Sequence, residues 1–115
     1  MAITIFHNPR CSKSRTTLSL LQEQGIEPDI RLYLQDPPDA AELEKILALL
    51  GKSPRELMRK GEAEYREQGL HDEGLDNKAL IAAMAATPKL IERPIVLANG
   101  KAAVGRPPES VLEIL

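Results

Sequence analysis

A β-branched apolar run, Ile3-Thr4-Ile5-Phe6, stops at His7 and the turn pair Asn8-Pro9, and the only cysteine of the chain, Cys11, opens the helix-compatible run that follows. This order of strand, tight loop and helix start leaves few folds open. It places Cys11 at the mouth of a helix, where unpaired backbone N–H groups point outward and the helix dipole favours negative charge. A thiolate is favoured there, and so is a bound oxyanion. A lone cysteine is most often a small buried hydrophobe. One that follows a turn and stands among Arg10, Lys13 and Arg15 has instead the electropositive setting of a reactive thiol. The expected thiol lies on an exposed loop, with its pKa lowered by the local field.

The pattern of elements extends this start. A strand over residues 2–6 leads to a helix over 12–24 that buries Leu18 and Leu21 and ends at Gly25. Residues 28–34 alternate Ile30, Leu32 and Leu34 against Asp29, Arg31 and Tyr33, which predicts a second strand. The resulting β-α-β unit should have parallel strands and a right-handed crossover. Gln35-Asp36-Pro37-Pro38 breaks the chain. Asp39 with Glu42 then forms a capping box before the helical stripe Leu43, Ile46, Leu47, Leu50, which Gly51 stops. Ser53-Pro54 with Glu56 starts a short helix that ends near Gly61. Residues 62–74 read as irregular with one helical turn. Asp76 caps a helix to about Ala86, and Thr87-Pro88 opens a turn through Leu90. Strand character returns at 94–98, and Asn99-Gly100 is a strong hairpin signal before a return strand at 101–104. A C-terminal helix carrying Val111, Leu112 and Leu115 closes the chain.

This is the order of a thioredoxin-like α/β fold, a four-stranded mixed sheet in a single domain over residues 1–115, with residues 36–92 as a helical insert between strands two and three. The length of 115 residues fits one domain with a real core. A formal net charge of −2 gives no basic excess, so nucleic acid is not an expected partner. The two histidines, His7 and His71, have no metal-ligand spacing to each other or to Cys11, and one cysteine forms no internal disulfide. The first apolar run is too short for a signal peptide, and no window is long and apolar enough to span a membrane. A reduced cytoplasm is the expected home of such a thiol.

In a thioredoxin-like fold the loop before strand three packs against the active-site cysteine, usually through a cis-proline. Pro94 is at that place, although it would also serve as an ordinary trans proline opening an edge strand. Two familiar thiol motifs are excluded. Cys11-Ser12-Lys13-Ser14 has no second sulfur where Cys-x-x-Cys would have one, and the position a tyrosine-phosphatase loop gives to arginine is Thr17.

Several segments in register along nearly the whole chain resemble the glutaredoxin-coupled arsenate reductases, a family that shares its fold with Spx-type regulators. They are His7-Asn8-Pro9-x-Cys11-x-x-Ser14-Arg15, Leu57-Met58-Arg59-Lys60, Ile91-Glu92-Arg93-Pro94-Ile95-Val96 and Gly105-Arg106-Pro107. The resemblance implies a nucleophilic Cys11 and an oxyanion pocket of Arg59, Arg93 and Arg106. It also implies that His7 assists the low thiol pKa, that Ser14 hydrogen-bonds the sulfur, and that arsenate is reduced to arsenite. Glutathione is then the co-substrate, glutaredoxin the partner, and no cofactor is tightly bound; the chain acts as a monomer.

Physical chemistry is consistent with that assignment, because arginine holds a tetrahedral anion through forked, charge-assisted hydrogen bonds. Arg93 and Arg106 each precede a proline, which restricts their backbones. Taken singly, each arginine could be an ordinary surface residue, His7 a strand-end residue bonded to backbone, and Ser14 a plain first-turn residue. Two other functions use the same site: a glutathione-dependent thiol oxidoreductase with a different substrate, and an Spx-like transcription regulator. The regulator branch typically carries Cys-x-x-Cys, and Ser14 stands at the second sulfur's place.

Overall fold

The computed structural model describes residues 3–115. Residues 3–36 together with Arg93–Leu115 form one compact unit, and Pro37–Glu92 forms a second.

The first unit is built on a four-stranded sheet. Strand β1 (Thr4–Phe6) is followed by helix α1 (Ser12–Glu23) and strand β2 (Asp29–Arg31), and the unit resumes after the second one with β3 (Ile95–Ala98) and β4 (Lys101–Val104). The spatial order is β2-β1-β3-β4. β1 runs parallel to β2, with Ile5 opposite Ile30, and antiparallel to β3, with Ile5 opposite Val96. β3 and β4 are an antiparallel hairpin. Its turn residues Asn99 and Gly100 both have positive φ, 55° and 71°, as a two-residue turn matched to the strand twist requires. This is the mixed thioredoxin-like sheet expected from the sequence. The expected strand start at Ala2 lies outside the described residues.

One face of the sheet carries the core. Ile5, Val96 and Ala98 meet Leu21 from α1, and Val111 and Ile114 from the C-terminal segment. Each such side chain removed from water contributes roughly 1.5–3 kcal/mol. α1 closes with the Ile26 N–H on the Leu21 carbonyl at 3.0 Å and the Gly25 N–H on Gln22 at 3.0 Å, the paired bonds of a Schellman end.

Two expectations are corrected here. β2 ends at Arg31, because Gln35 and Asp36 both turn back onto the Leu32 carbonyl at 2.9 Å. The anticipated alternation does not hold: Ile30, paired with buried Ile5, is exposed on the edge strand, Leu34 is exposed beyond the strand, and Tyr33 is buried. The C-terminal segment Pro108–Ile114 is a 3₁₀ helix, not an α-helix. With three residues per turn its buried positions are Pro108, Val111 and Ile114, and Leu112 and Leu115 stay exposed.

The second unit is helical: α2 (Ala40–Leu50), α3 (Pro54–Leu57), α4 (Ala63–Glu67), α5 (Asn77–Ala86) and a 3₁₀ turn, Pro88–Leu90. The expected caps are in place. Glu42 N–H donates to Asp39 Oδ1 at 2.8 Å, and Ala79 N–H to Asp76 Oδ1 at 2.8 Å. α2 and α3 both pack on α5, burying Leu43, Ile46, Leu57, Leu80 and Met84. No helix among the described residues is long and apolar enough to cross a membrane.

Arg55 ties the polar, glycine-punctuated stretch after α3 to that helix. Arg55 Nη1 donates to Tyr65 Oη at 2.7 Å and to the Leu70 carbonyl at 2.6 Å, and Nη2 donates to the Asp72 carbonyl at 3.0 Å. Charged hydrogen bonds of this kind contribute about 1.5–3 kcal/mol each, discounted here by partial exposure. Arg55→Ala should therefore lower unfolding free energy by about 2 kcal/mol in urea titration. Arg55→Lys should recover less than half of that, since an ammonium cannot fork to three acceptors. An unchanged midpoint in Arg55→Ala would show that residues 62–74 are held by something else.

Candidate active site

β1 hands the chain to α1 through a tightly bonded loop. The His7 N–H donates to the Arg31 carbonyl at 2.8 Å, which fixes the end of β1 against β2. Asn8 then makes an Asx turn: its Oδ1 accepts from Arg10 N–H at 3.0 Å, and its carbonyl accepts from Cys11 N–H at 3.0 Å. Cys11 is the N-cap residue of α1, with extended backbone. The helix begins as Arg15 N–H bonds the Cys11 carbonyl at 3.0 Å.

The thiol is buried, with Cys11 only 8% exposed, which corrects the expectation of an exposed loop cysteine. Burial pushes the thiol pKa up. The N–H of Ser14, the Arg93 guanidinium and the N–H of Lys13 all favour the thiolate, and together they hold the pKa below its ordinary value. Arg106 Nη2 donates to the sulfur at 3.6 Å, so a second guanidinium reaches the thiol beside Arg93. Arg106 is aimed by its own Nε, which donates to the Arg93 carbonyl at 2.7 Å. The Arg93–Pro94 and Arg106–Pro107 peptides are both cis.

His7 and Ser14 are brought together beside this loop. Ser14 Oγ is 2.6 Å from His7 Nδ1 and accepts from Asn8 N–H at 3.0 Å. The backbone N–H of Ser14 favours the Cys11 thiolate. Burial, then the positive charge of Arg15, lowers the pKa of His7. A histidine held below its usual value is neutral at neutral pH, so it acts on the loop as a hydrogen-bonding group rather than as a cation.

Arg59 belongs to the second unit. Its backbone N–H donates to the Leu90 carbonyl at 2.7 Å, beside the bridge between Met58 and Ile91. Its guanidinium pairs with Glu62 at 2.9 Å and with Glu92 at 3.8 Å. The turn at Asn8 was read from the sequence, whereas the contribution of the Lys13 N–H is announced by no side-chain motif. Among the described residues no group of three or more His, Cys, Asp or Glu is placed to hold a metal ion.

Comparison with known proteins gives the family. A family model described as ArsC family matches residues 6–114. The chain is 60% identical over 114 residues to the uncharacterized protein YfgD of Escherichia coli K12, covering 98% of this chain and 96% of that protein. It is 56% identical over 114 residues to an arsenate reductase of Neisseria meningitidis serogroup A, covering 98% and 97%. Among solved structures, the arsenate reductase from Vibrio cholerae superposes with a TM-score of 0.97 at 53% identity, covering 100% of this chain and 98% of that one. A putative arsenate reductase from Yersinia pestis gives 0.94 at 56% identity, covering 97% and 99%.

The lowered thiol pKa has a kinetic and a thermodynamic signature. The rate of Cys11 alkylation by iodoacetamide should have a pH midpoint below the ~8.5 of a free cysteine. A thiol depressed on folding adds stability above its unfolded value and loses it as pH falls through the folded value. Cys11→Ser should therefore flatten the pH dependence of unfolding between those two values. A midpoint at or above that of free cysteine would mean that burial outweighs the donors.

Proposed function

We propose that this chain, which belongs to the ArsC family, reduces arsenate to arsenite with Cys11 as the nucleophile. The observation that carries the reading is the convergence on one sulfur of two helix N–H groups and the Arg93 and Arg106 side chains. Such a cradle stabilises a thiolate and, beside it, a tetrahedral oxyanion. Arg59 enters the reading from the sequence resemblance alone.

The thiolate attacks As(V), an oxygen leaves as water, and a sulfur–arsenic bond forms. Reduction to As(III) needs two electrons, which come from two thiols that end as a disulfide. Cys11 is the only cysteine, so it cannot complete this within the chain. External thiols supply the electrons and free Cys11 again. The net reaction takes one arsenate and two thiols to one arsenite, one disulfide and one water. In this reading a glutathione thiol adds to the arsenic with loss of a second water, a glutaredoxin thiol then attacks the glutathione sulfur so that a glutathione–glutaredoxin disulfide leaves, and one water hydrolyses the remaining As(III) from Cys11 as arsenite.

Cys11, Arg93 and Arg106 come from one chain, so the reaction is assigned to a monomer. The cytoplasm, which keeps such thiols reduced, is the compartment this reading implies.

The test is turnover with arsenate, glutathione and glutaredoxin. Neither arsenate alone nor arsenate with thioredoxin should sustain multiple turnovers. Cys11→Ser should abolish reduction while keeping oxyanion binding. Arg93→Ala and Arg106→Ala should each lower kcat/KM by an amount equivalent to roughly 2–5 kcal/mol, and lysine should restore only part. Reductase activity surviving in Cys11→Ser would end the proposal. Glutathione-dependent reduction of another substrate, with none of arsenate, would favour a thiol oxidoreductase built on the same sulfur.

A further inference from the structure

Gly105 follows β4 directly and immediately precedes Arg106. Its φ lies outside the left-handed region, so backbone freedom is not the reason for a glycine there. Space is. A Cβ at this position would lie 2.6 Å from Thr17 Oγ1, 2.8 Å from Pro94 Cγ and 3.2 Å from Thr17 Cγ2. Neither neighbour yields easily. Thr17 is fully buried within α1, and its hydroxyl donates to the Lys13 carbonyl at 2.8 Å. The Pro94 ring is tied to the backbone.

The same short stretch grips the segment before β3 at two successive carbonyls. Gly105 N–H donates to Pro94 O at 2.9 Å, and Arg106 Nε donates to Arg93 O at 2.7 Å. Those bonds, with the close approach to α1, leave the Arg106 guanidinium 3.6 Å from the Cys11 sulfur. Lys13, whose carbonyl fixes Thr17, also offers its N–H to that sulfur. Gly105 therefore sits where α1, through Thr17, the segment carrying Arg93 and the turn carrying Arg106 meet.

We propose that Gly105 is a positioning residue for the reaction: its missing side chain lets the end of β4 rest against Thr17 and Pro94, and that contact aims Arg106 at Cys11. The inference rests on the proposed function only in treating Arg106 as an oxyanion ligand. A Cβ would push the strand end away from α1, and the guanidinium would move with it.

The experiment compares Gly105→Ala, Arg106→Ala, the double variant and Gly105→Ala with Thr17→Ala, using two readouts. The first is the Arg106 Nε–H resonance of the whole protein, assigned by its loss in Arg106→Lys. In Gly105→Ala it should take the shift and exchange rate of an unbonded guanidinium. The second is kcat/KM for arsenate, which should fall roughly 10²-fold, the size of loss that a displacement of about 1 Å produces. Adding Gly105→Ala to Arg106→Ala should cost nothing further, because the effect runs through Arg106. Thr17→Ala, which removes two of the three crowded atoms, should restore part of both signals in Gly105→Ala.

An unchanged Nε–H signal in Gly105→Ala, or losses that simply multiply in the double variant, would overturn the proposal. So would failure of all three variants that carry Gly105→Ala to fold, which would make Gly105 a requirement of the fold itself. Absence of arsenate turnover in the unmodified protein would instead count against the proposed function, and the Nε–H signal would still decide the role of Gly105.

Discussion

Ser14 is fully buried in the first turn of α1, and its polar groups serve two masters. Its backbone N–H supports the Cys11 thiolate, and its hydroxyl holds His7 and the Asn8 N–H. A buried hydroxyl without partners would be costly. Here both partners come from the loop that carries the thiol, so satisfying Ser14 also fixes that loop. The turn at Asn8, the N-cap position of Cys11 and the start of α1 all depend on this one bonded group. His7, neutral and buried, belongs to the same arrangement.

The positive charge reaches the thiol by a different route. Arg93 lies just before β3 and Arg106 just after β4, so the Asn99-Gly100 hairpin brings them back to the same end of the sheet. The Arg93 carbonyl then orients Arg106 directly. A guanidinium fixed in this way loses less freedom when it binds an anion, and preorganised donors of this type contribute most where charge develops. Arg59 has a different environment, since Glu62 and Glu92 already engage it in the helical unit.

The burial of Cys11 changes how its reactivity is understood. Exposure would make a thiol accessible, whereas burial alone would make it a worse thiolate. The structure resolves this conflict by surrounding a nearly covered sulfur with donors, so that the covered position becomes an anion site.

Much of the architecture was readable in local chemistry. Asp39 with Glu42, Asp76 and Asn99-Gly100 act within a few residues, and their bonds and turn geometry are where the sequence pattern put them. The same holds for the strand–loop–helix handover at Cys11, because strand propensity, turn residues and helix capping all operate at short range. Other features needed the folded chain. Ile30 is exposed because β2 is an edge strand, and Tyr33 is buried after the strand has ended at Arg31, neither of which residue alternation reveals. The 3₁₀ form of residues 108–114 places Pro108, Val111 and Ile114 in the core, and apolar content alone does not distinguish a period of three from 3.6. Arg106 meets a sulfur 95 positions away in the chain, and Gly105 matters only for the space between Thr17 and Pro94. These are contacts between distant segments, and only tertiary packing decides them.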